Sequence, residues 1–194
     1  MRMLTTLLMI GVLSLGTAAQ ECRGRRSQFS SQEEIDDLIH NCTTIADEIQ
    51  LVNYNGTLEL PNITNITRLA AENSSITSAQ FPDLEYVNDF ISLRQEHLNN
   101  VSFPRLHYAH NISLRFANET SEIEFPELEN LSSIELRNAL SVSFPLLRII
   151  SDVFHISTGN SPGFPNNEST IPIELSFPVL ESTHAFSAIG NVER

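Results

Sequence analysis

Two hydrophobic patterns recur along the chain with the same spacing. The first is the tetrapeptide Phe-Pro-x-Leu, which begins at Phe81, Phe103, Phe125, Phe144 and Phe177, with a degenerate copy at Leu60. Successive copies are 21, 22, 22, 19 and 33 residues apart. The second is a pair of apolar residues separated by one position, as at Ile49/Leu51, Leu69/Ala71, Ile91/Leu93, Ile112/Leu114, Ile134/Leu136, Phe154/Ile156 and Phe186/Ala188. Such alternation is typical of a short, half-buried strand, so each repeat contains one predicted strand.

This period predicts a solenoid. Short strands that recur about every 20–29 residues are typical of leucine-rich and β-helical solenoids, in which neighbouring coils stack because one coil cannot bury its own apolar face. We therefore expect Phe81, Phe103, Phe125 and Phe144 to lie in single file, each followed by a proline that ends strand pairing. The predicted fold class is mainly β, a right-handed parallel β-solenoid.

One helix is predicted, at the N-terminal end of the solenoid. The segment Ser31–Glu34 is a capping box, and Ile35, Leu38 and Ile39 form an apolar stripe behind it. We predict an N-terminal cap over residues 20–46 and the solenoid over 47–194, with a loop insertion rich in Gly, Pro, Asn and Ser at about 158–172. The C-terminal end shows no comparable cap, so we expect an exposed last coil that is able to pair with a second copy.

The first residues predict secretion. Residues 1–19 combine a basic start, an apolar run at 4–15 and small residues at 16–19, which is the pattern of a signal peptide. The run is too short to span a membrane, which needs about 20 apolar residues. The last residues include no hydrophobic tail, so this chain shows no lipid-anchor signal. We expect an extracellular protein with no membrane span.

Secretion would place the two cysteines and the Asn-x-Ser/Thr sequons where disulfides and N-glycans form. We predict a structural disulfide between Cys22 and Cys42. The nearby Arg25-Arg26 pair is either a protease-processing site or a solvated basic patch. Ten Asn-x-Ser/Thr sequons predict heavy glycosylation at side chains that point to solvent: Asn41, Asn55, Asn62, Asn65, Asn73, Asn100, Asn111, Asn118, Asn130 and Asn167.

Charge excludes two classes of partner. All eleven basic residues are arginine, and they face 24 acidic residues, which gives a net charge of −13. Nucleic acids and anionic membranes are bound through a basic surface, so neither is an expected partner.

The residues also resemble a known family. A helix ending in Asn41-Cys42-Thr43-Thr44-Ile45 and followed by the strand 48–51 looks like the opening of a receptor L domain, a leucine-rich-repeat-like fold. Phe-Pro-x-Leu coils with Ile-Ser-Leu-Arg strands at 91–94 and 112–115 are similar to the fungal cell-wall-organisation and sporulation-specific glycoproteins of that superfamily. The resemblance implies a secreted, non-enzymatic glycoprotein that supports cell-wall integrity. Members of that family are usually about twice as long and GPI-anchored, so this chain resembles a shortened member.

Enzymatic chemistry is the main rival interpretation, because β-helices also host polysaccharide-cleaving enzymes. Such enzymes need converging carboxylates, but adjacent residues of a strand face opposite ways, so pairs such as Asp47-Glu48 do not converge. His107 and His110 have no third ligand nearby in the sequence, so we expect no metal site and no cofactor. We expect no enzyme activity.

A column of arginines is the candidate binding face. The residue after each apolar pair is Glu72, Arg94, Arg115, Arg137 and then Ser157. In the predicted register the three arginines stack about 5 Å apart, and like charges placed opposite each other destabilise a sheet. They therefore pair with local carboxylates such as Glu72 and Glu135, or they meet an external partner.

With Ser92, Ser113, Glu135 and His155 beside it, this face is predicted to bind cell-wall or matrix glycans or an extracellular protein. The protein-binding alternative corresponds to a soluble ectodomain-like module or a secreted effector.

Overall fold

The computed structural model describes residues 20–22, 27–94, 97–117, 121–157, 172–189 and 191–193. Its elements are, in chain order, β1 (Glu21–Cys22), β2 (Ser27–Phe29), α1 (Gln32–Ile39), β3 (Thr44–Val52), β4 (Asn55–Glu59), β5 (Asn65–Glu72), β6 (Ser75–Gln80), β7 (Tyr86–Leu93), β8 (Asn100–Ser102), β9 (Tyr108–Arg115), β10 (Ser121–Glu124), β11 (Asn130–Arg137), β12 (Ala139–Ser143), β13 (Ile149–Ser157), β14 (Pro172–Ser176), β15 (Ser182–Ile189) and β16 (Asn191–Glu193). The predicted signal peptide, the Arg25-Arg26 pair, Asn118, Asn167 and positions 158–171 of the predicted insertion lie outside the described residues.

The described strands form parallel sheets that wind into a solenoid. The long sheet has the order β1-β3-β5-β7-β9-β11-β13-β15, with β2 also paired to β3. The other side consists of β4-β6-β8 and β10-β12-β14-β16. The chain thus alternates between the two sides and makes a parallel β-solenoid of about six turns, which confirms the predicted mainly β fold class with one helix.

The apolar pairs lie in register across the long sheet. Ile91 pairs with Ile112 and Leu93 with Leu114, and the same alignment continues from Ile49/Leu51 through Phe186/Ala188. The strands are longer than the predicted triplets, and several pairs of strands show a register shift near the middle. Between β5 and β7 the shift follows Ile66, where the single residue Thr67 of β5 lies opposite two residues of β7. Ile66 and Leu69 both face the core although they are three residues apart.

Each Phe-Pro-x-Leu segment forms a β-turn at one corner of the coil. The backbone N–H of Leu84 donates to the Phe81 carbonyl at 3.4 Å, and the Phe125 and Phe144 turns repeat this bond at 3.4 and 3.5 Å. Proline occupies the second position of the turn, where its fixed φ fits and its missing N–H costs nothing. The first and last side chains of the turn, such as Phe81 and Leu84, are both buried. The tetrapeptide is therefore the corner that returns the chain to the long sheet.

The phenylalanines lie in single file, as expected. Rings of consecutive coils from Phe81 to Phe144 have centroids 4.7, 5.5 and 4.9 Å apart, with interplanar angles of 2°, 13° and 3°. Phe177 continues the file 5.1 Å beyond Phe144. These distances lie in the range of favourable aromatic pairs. One continuous column thus links the coils through the core.

The N-terminal end of the solenoid is closed by α1. The Ser31 side chain accepts a hydrogen bond from the Glu34 N–H at 3.4 Å and caps the helix, while Ile35 and Ile39 are buried. The Gln32 amide donates to the Glu59 carbonyl at 2.7 Å and accepts from the Glu59 N–H at 3.0 Å. Gln32 thereby occupies the backbone groups at the edge of β4 as another strand would.

Two further contacts fasten this cap. Tyr54 is buried with its hydroxyl 2.8 Å from Gln32 Oε1, and its burial, with the charges of Asp36 and Glu59, raises the pKa of Tyr54 to about 12. Cys22 and Cys42 form the predicted disulfide, with their Cα atoms 5.6 Å apart. The disulfide ties β1 to the segment that follows α1.

The last described coil is more exposed than the others. Phe186 pairs in register with Phe154, yet Phe186 is 48% exposed while Phe154 is fully buried. Ile189 at the end of β15 is 58% exposed. Among the described residues, no strand pairs with the outer edge of β15, so Phe186, which stacks on Phe154 at 5.0 Å, is left uncovered on its other side. Ile189 pairs with Ser157, so it occupies an outward position that polar residues hold in the earlier coils.

None of the helical structure in the described part of the chain has the length and hydropathy needed to cross a membrane.

Candidate binding face

The outward positions of four neighbouring long-sheet strands form a polar surface. Ser92, Ser113, Glu135 and His155 occupy successive strands in direct register. Two positions further along each strand, Arg115 pairs with Arg137, and Arg94 follows the end of β7. We call these residues the arginine face: Ser92, Arg94, Ser113, Arg115, Glu135, Arg137 and His155. Outward direction follows from alternation, because the intervening side chains, such as Leu114 and Leu136, are buried.

Glu135 is the centre of this face. Its Oε2 atom lies 2.6 Å from Arg94 Nη2, and its Oε1 atom accepts hydrogen bonds from Arg137 Nη2 and Nε at 2.7 and 2.8 Å. Ser113 joins the network, since its hydroxyl accepts from Arg94 Nε at 2.6 Å and donates to Glu135 Oε2 at 3.2 Å. One carboxylate thus bridges two arginines from non-adjacent coils, which is the local pairing that the like-charge column requires.

The environment of Glu135 shifts its ionisation. Burial would raise the pKa of this carboxyl, but hydrogen bonds from Arg137 and Ser113 and the positive charges of Arg94 and Arg137 outweigh it and lower the pKa below 4.5. The side chain is 24% exposed, whereas that of Arg94 is 56% exposed. Glu135 is therefore a half-buried anion that holds a solvent-facing guanidinium in place.

A pH titration tests this arrangement. Because the pKa of Glu135 is lowered on folding, its contribution to the free energy of unfolding is complete well above the ordinary pKa of a glutamate and is lost as the pH falls through the lowered value. We expect the stability difference between the wild type and Glu135→Gln to be constant from about pH 7 to pH 5 and to shrink at lower pH. Urea unfolding at each pH measures it, with Glu124→Gln in β10 as the control. A difference that does not change with pH would contradict the ion-pair network.

Two shallow depressions flank Arg94 and Asn111. The first, of about 280 Å³, is lined by Glu135 and His155 together with Ser133, Arg94 and Asn111. The second, of about 360 Å³, is lined by Ser92, Ser113 and Phe90, again with Arg94 and Asn111. The depressions combine hydroxyl, guanidinium, carboxylate and apolar surface, since Glu135 lines the first and Asp89 the second. This combination suits a polar ligand with an apolar side, such as a sugar ring.

The structure brings most residues of the predicted face together, but they take different parts in the network of contacts. Arg94, Glu135 and Arg137 are in direct contact, His155 lines the first depression, and Arg115 lies in register beside Arg137. Glu72 lies at the equivalent outward position of β5 and is exposed. Sequence reasoning placed Ser113 on this face but did not predict its two hydrogen bonds, and it missed that Asn111 lies on the same face. Their signal was available, because both occupy outward positions of the same strand as Arg115.

The described sequons are mostly at the surface. Exposed asparagines are Asn41, Asn55, Asn62, Asn73, Asn100, Asn111 and Asn130. Asn65 is half-buried, and its Oδ1 atom accepts a hydrogen bond from Asn88 at 2.7 Å. Glycan occupancy at all of these sites stays a prediction.

No group of three or more His, Cys, Asp or Glu side chains in the described ranges is arranged to hold a metal ion. Fold and face together define an acidic parallel β-solenoid that displays arginines on its long sheet. No protein-family model, no curated protein and no solved structure matches the chain. The resemblance to fungal L-domain glycoproteins therefore stays a prediction that rests on the residues themselves.

Proposed function

We propose that this chain is a secreted, non-enzymatic glycoprotein that supports cell-wall organisation by binding wall or matrix glycans through the arginine face. The observation that carries the proposal is the concentration of Arg94, Arg115 and Arg137 on one sheet face of a chain with net charge −13. Charge complementarity favours glycans that carry carboxylate, phosphate or sulfate groups. The disulfide and the sequons support an extracellular location.

The geometry of the face supports binding without catalysis. Arg94 is largely exposed and is held by Ser113 and Glu135, so it offers donors to a ligand at little further cost in side-chain entropy. Phe90 contributes apolar surface to the adjoining depression. In the proposed role Glu135 acts as a fixed counter-ion that orients the arginines.

Changing the three arginines together tests the proposal. We expect Arg94→Gln, Arg115→Gln and Arg137→Gln in one protein to abolish most binding to isolated fungal cell walls, measured as protein retained in the wall pellet. Replacement of the same three residues by lysine keeps the charge and is expected to retain part of the binding, since the guanidinium geometry is lost.

Arg105→Gln combined with Arg148→Gln is the control for loss of positive charge elsewhere, at two positions against three, because Arg105 and Arg148 form ion pairs with Glu85 and Glu181 away from the arginine face. Far-UV circular dichroism verifies that each variant is folded. Undiminished wall binding by the triple Gln variant would refute the proposed role of this face.

A second candidate function is that of a soluble module or secreted effector that engages a protein partner. The exposed apolar side chains of Phe186 and Ile189 on β15 favour it, because a bare strand edge with apolar side chains invites another chain to pair. Fractionation of the secreting culture separates the two candidates. A wall component is retained with the wall, whereas an effector is recovered from the medium.

A further inference from the structure

Asn111 is a sequon at the margin of the arginine face, one outward position before Ser113. It lies on β9 and pairs in register with Phe90 on one side and Ser133 on the other, and its side chain is exposed. It lines both depressions, each of which Arg94 also lines. Any group attached to Asn111 therefore starts between the two depressions.

The other described sequons lie elsewhere on the solenoid. Asn65 and Asn130 begin their strands at the far margin of the long sheet, whereas the arginines follow or end theirs. The remaining described sequons lie in turns or in the second sheet, at Asn41, Asn55, Asn62, Asn73 and Asn100. Within the described residues, Asn111 is thus the sequon that lines both depressions.

We propose that an N-glycan on Asn111 lies across the arginine face and blocks it, so that the occupancy of this one sequon sets the fraction of molecules able to bind. Arg115 is four residues beyond Asn111 on the same strand, about 13 Å at the usual rise per residue. A branched glycan of several sugar rings is longer than this distance. Its hydroxyl groups would meet the donors of Arg94, and its sugar rings would contact Phe90.

The burial of Ser113, the serine of this sequon, explains why a glycan would be attached to Asn111 only before the chain folds. Ser113 is only 5% exposed, and its hydroxyl is held between Arg94 and Glu135 in the folded chain. Because a sequon is recognised through its Ser or Thr as well as its Asn, this site is open to modification before β9 joins the sheet and is closed afterwards. Folding would thus preserve two populations of molecules, one with a glycan over the arginine face and one without it.

Whether a glycan on Asn111 shields the arginine face can be tested without any wall ligand. Ser92→Cys places a thiol in the second depression, and the native cysteines are both in the disulfide. We expect this thiol to react several-fold faster with a poly(ethylene glycol) maleimide when Asn111→Gln is also present. Asn100→Gln is the matched sequon control and should leave the rate unchanged. Ser141→Cys in β12 is the matched thiol control and should not respond to Asn111→Gln.

Mass spectrometry of the secreted protein gives the occupancy of Asn111. Equal labelling rates with Asn111 occupied would overturn the proposal, and so would an unoccupied Asn111. The regulatory part rests on the proposed function and is measured separately by wall binding, which Asn111→Gln should raise several-fold and Asn100→Gln should not. If labelling shows the cover but its removal does not raise wall binding, the proposed glycan-binding function fails while the covering stands.

Discussion

Replacing Phe125 by alanine is expected to lower the free energy of unfolding by about 3–5 kcal/mol. Phe125 is fully buried and lies between Phe103 and Phe144, whose ring centroids are 5.5 and 4.9 Å away. Those rings are held by their own Phe-Pro-x-Leu turns, so they cannot collapse into the space that the missing ring leaves. The variant therefore loses both the transfer free energy of the side chain and the contacts around the cavity.

Urea unfolding followed by far-UV circular dichroism measures this loss. The matched control is Phe186→Ala, which removes the same side chain from a position that is 48% exposed. We expect a clearly smaller loss in the control, because less apolar area leaves water there on folding. Equal losses in the two variants would show that the column does not hold the coils together.

Breaking the disulfide is expected to cost about 3 kcal/mol of stability. Cys22 and Cys42 are 20 residues apart in the sequence, and linking them restricts the unfolded chain over that loop. The same bond holds β1 against β3 at the end of the long sheet. Losing it therefore weakens the cap as well as freeing the unfolded chain.

The disulfide effect is measured on Cys22→Ser combined with Cys42→Ala, since Cys42 is buried and alanine adds no polar group there. Wild-type protein unfolded in the presence of a reductant serves as the comparison and should match the double variant. A double variant as stable as the oxidised wild type would contradict the expected contribution.

The Phe-Pro-x-Leu period was sufficient to predict the column, because each coil reuses the same corner and one tetrapeptide specifies both the buried ring and the turn after it. The bulges were not predictable from the same pattern. Ile66 and Leu69 face the core three residues apart, and that spacing is closer to a helical period than to the period of two of a strand. Only the pairing of neighbouring strands shows that β5 has one residue where β7 has two.

A row of asparagines at the strand ends was also missed. Asn53, Asn73 and Asn138 each follow a long-sheet strand and have φ values of 55°, 49° and 62°. This left-handed conformation turns the chain toward the second sheet, and asparagine tolerates it better than most residues. The Asn138 side chain also donates to the Phe116 carbonyl at 3.0 Å in the neighbouring coil. The signal was the recurrence of Asn one position after a predicted strand.

The arginine face was predictable as a row but not as a network. Alternation and period place Arg94, Arg115 and Arg137 on one surface. They do not show that Glu135 reaches Arg94 across the intervening strand, since that contact depends on side-chain rotamers and on the small size of Ser113. Sequence patterns determine positions on a sheet, whereas the direction of long side chains is set by their neighbours.

The network around Glu135 draws on three consecutive coils, and this ties it to their number. Insertion between β9 and β11 of one coil of 22 residues that has the same corner but a different outward sequence would leave every core stack unbroken, because each coil offers the same corner to the next. It would also move Glu135 about 4.8 Å further from Arg94 and break their 2.6 Å bond. A gene that gains such a coil here would still encode a folded molecule, but one in which Glu135 no longer holds Arg94.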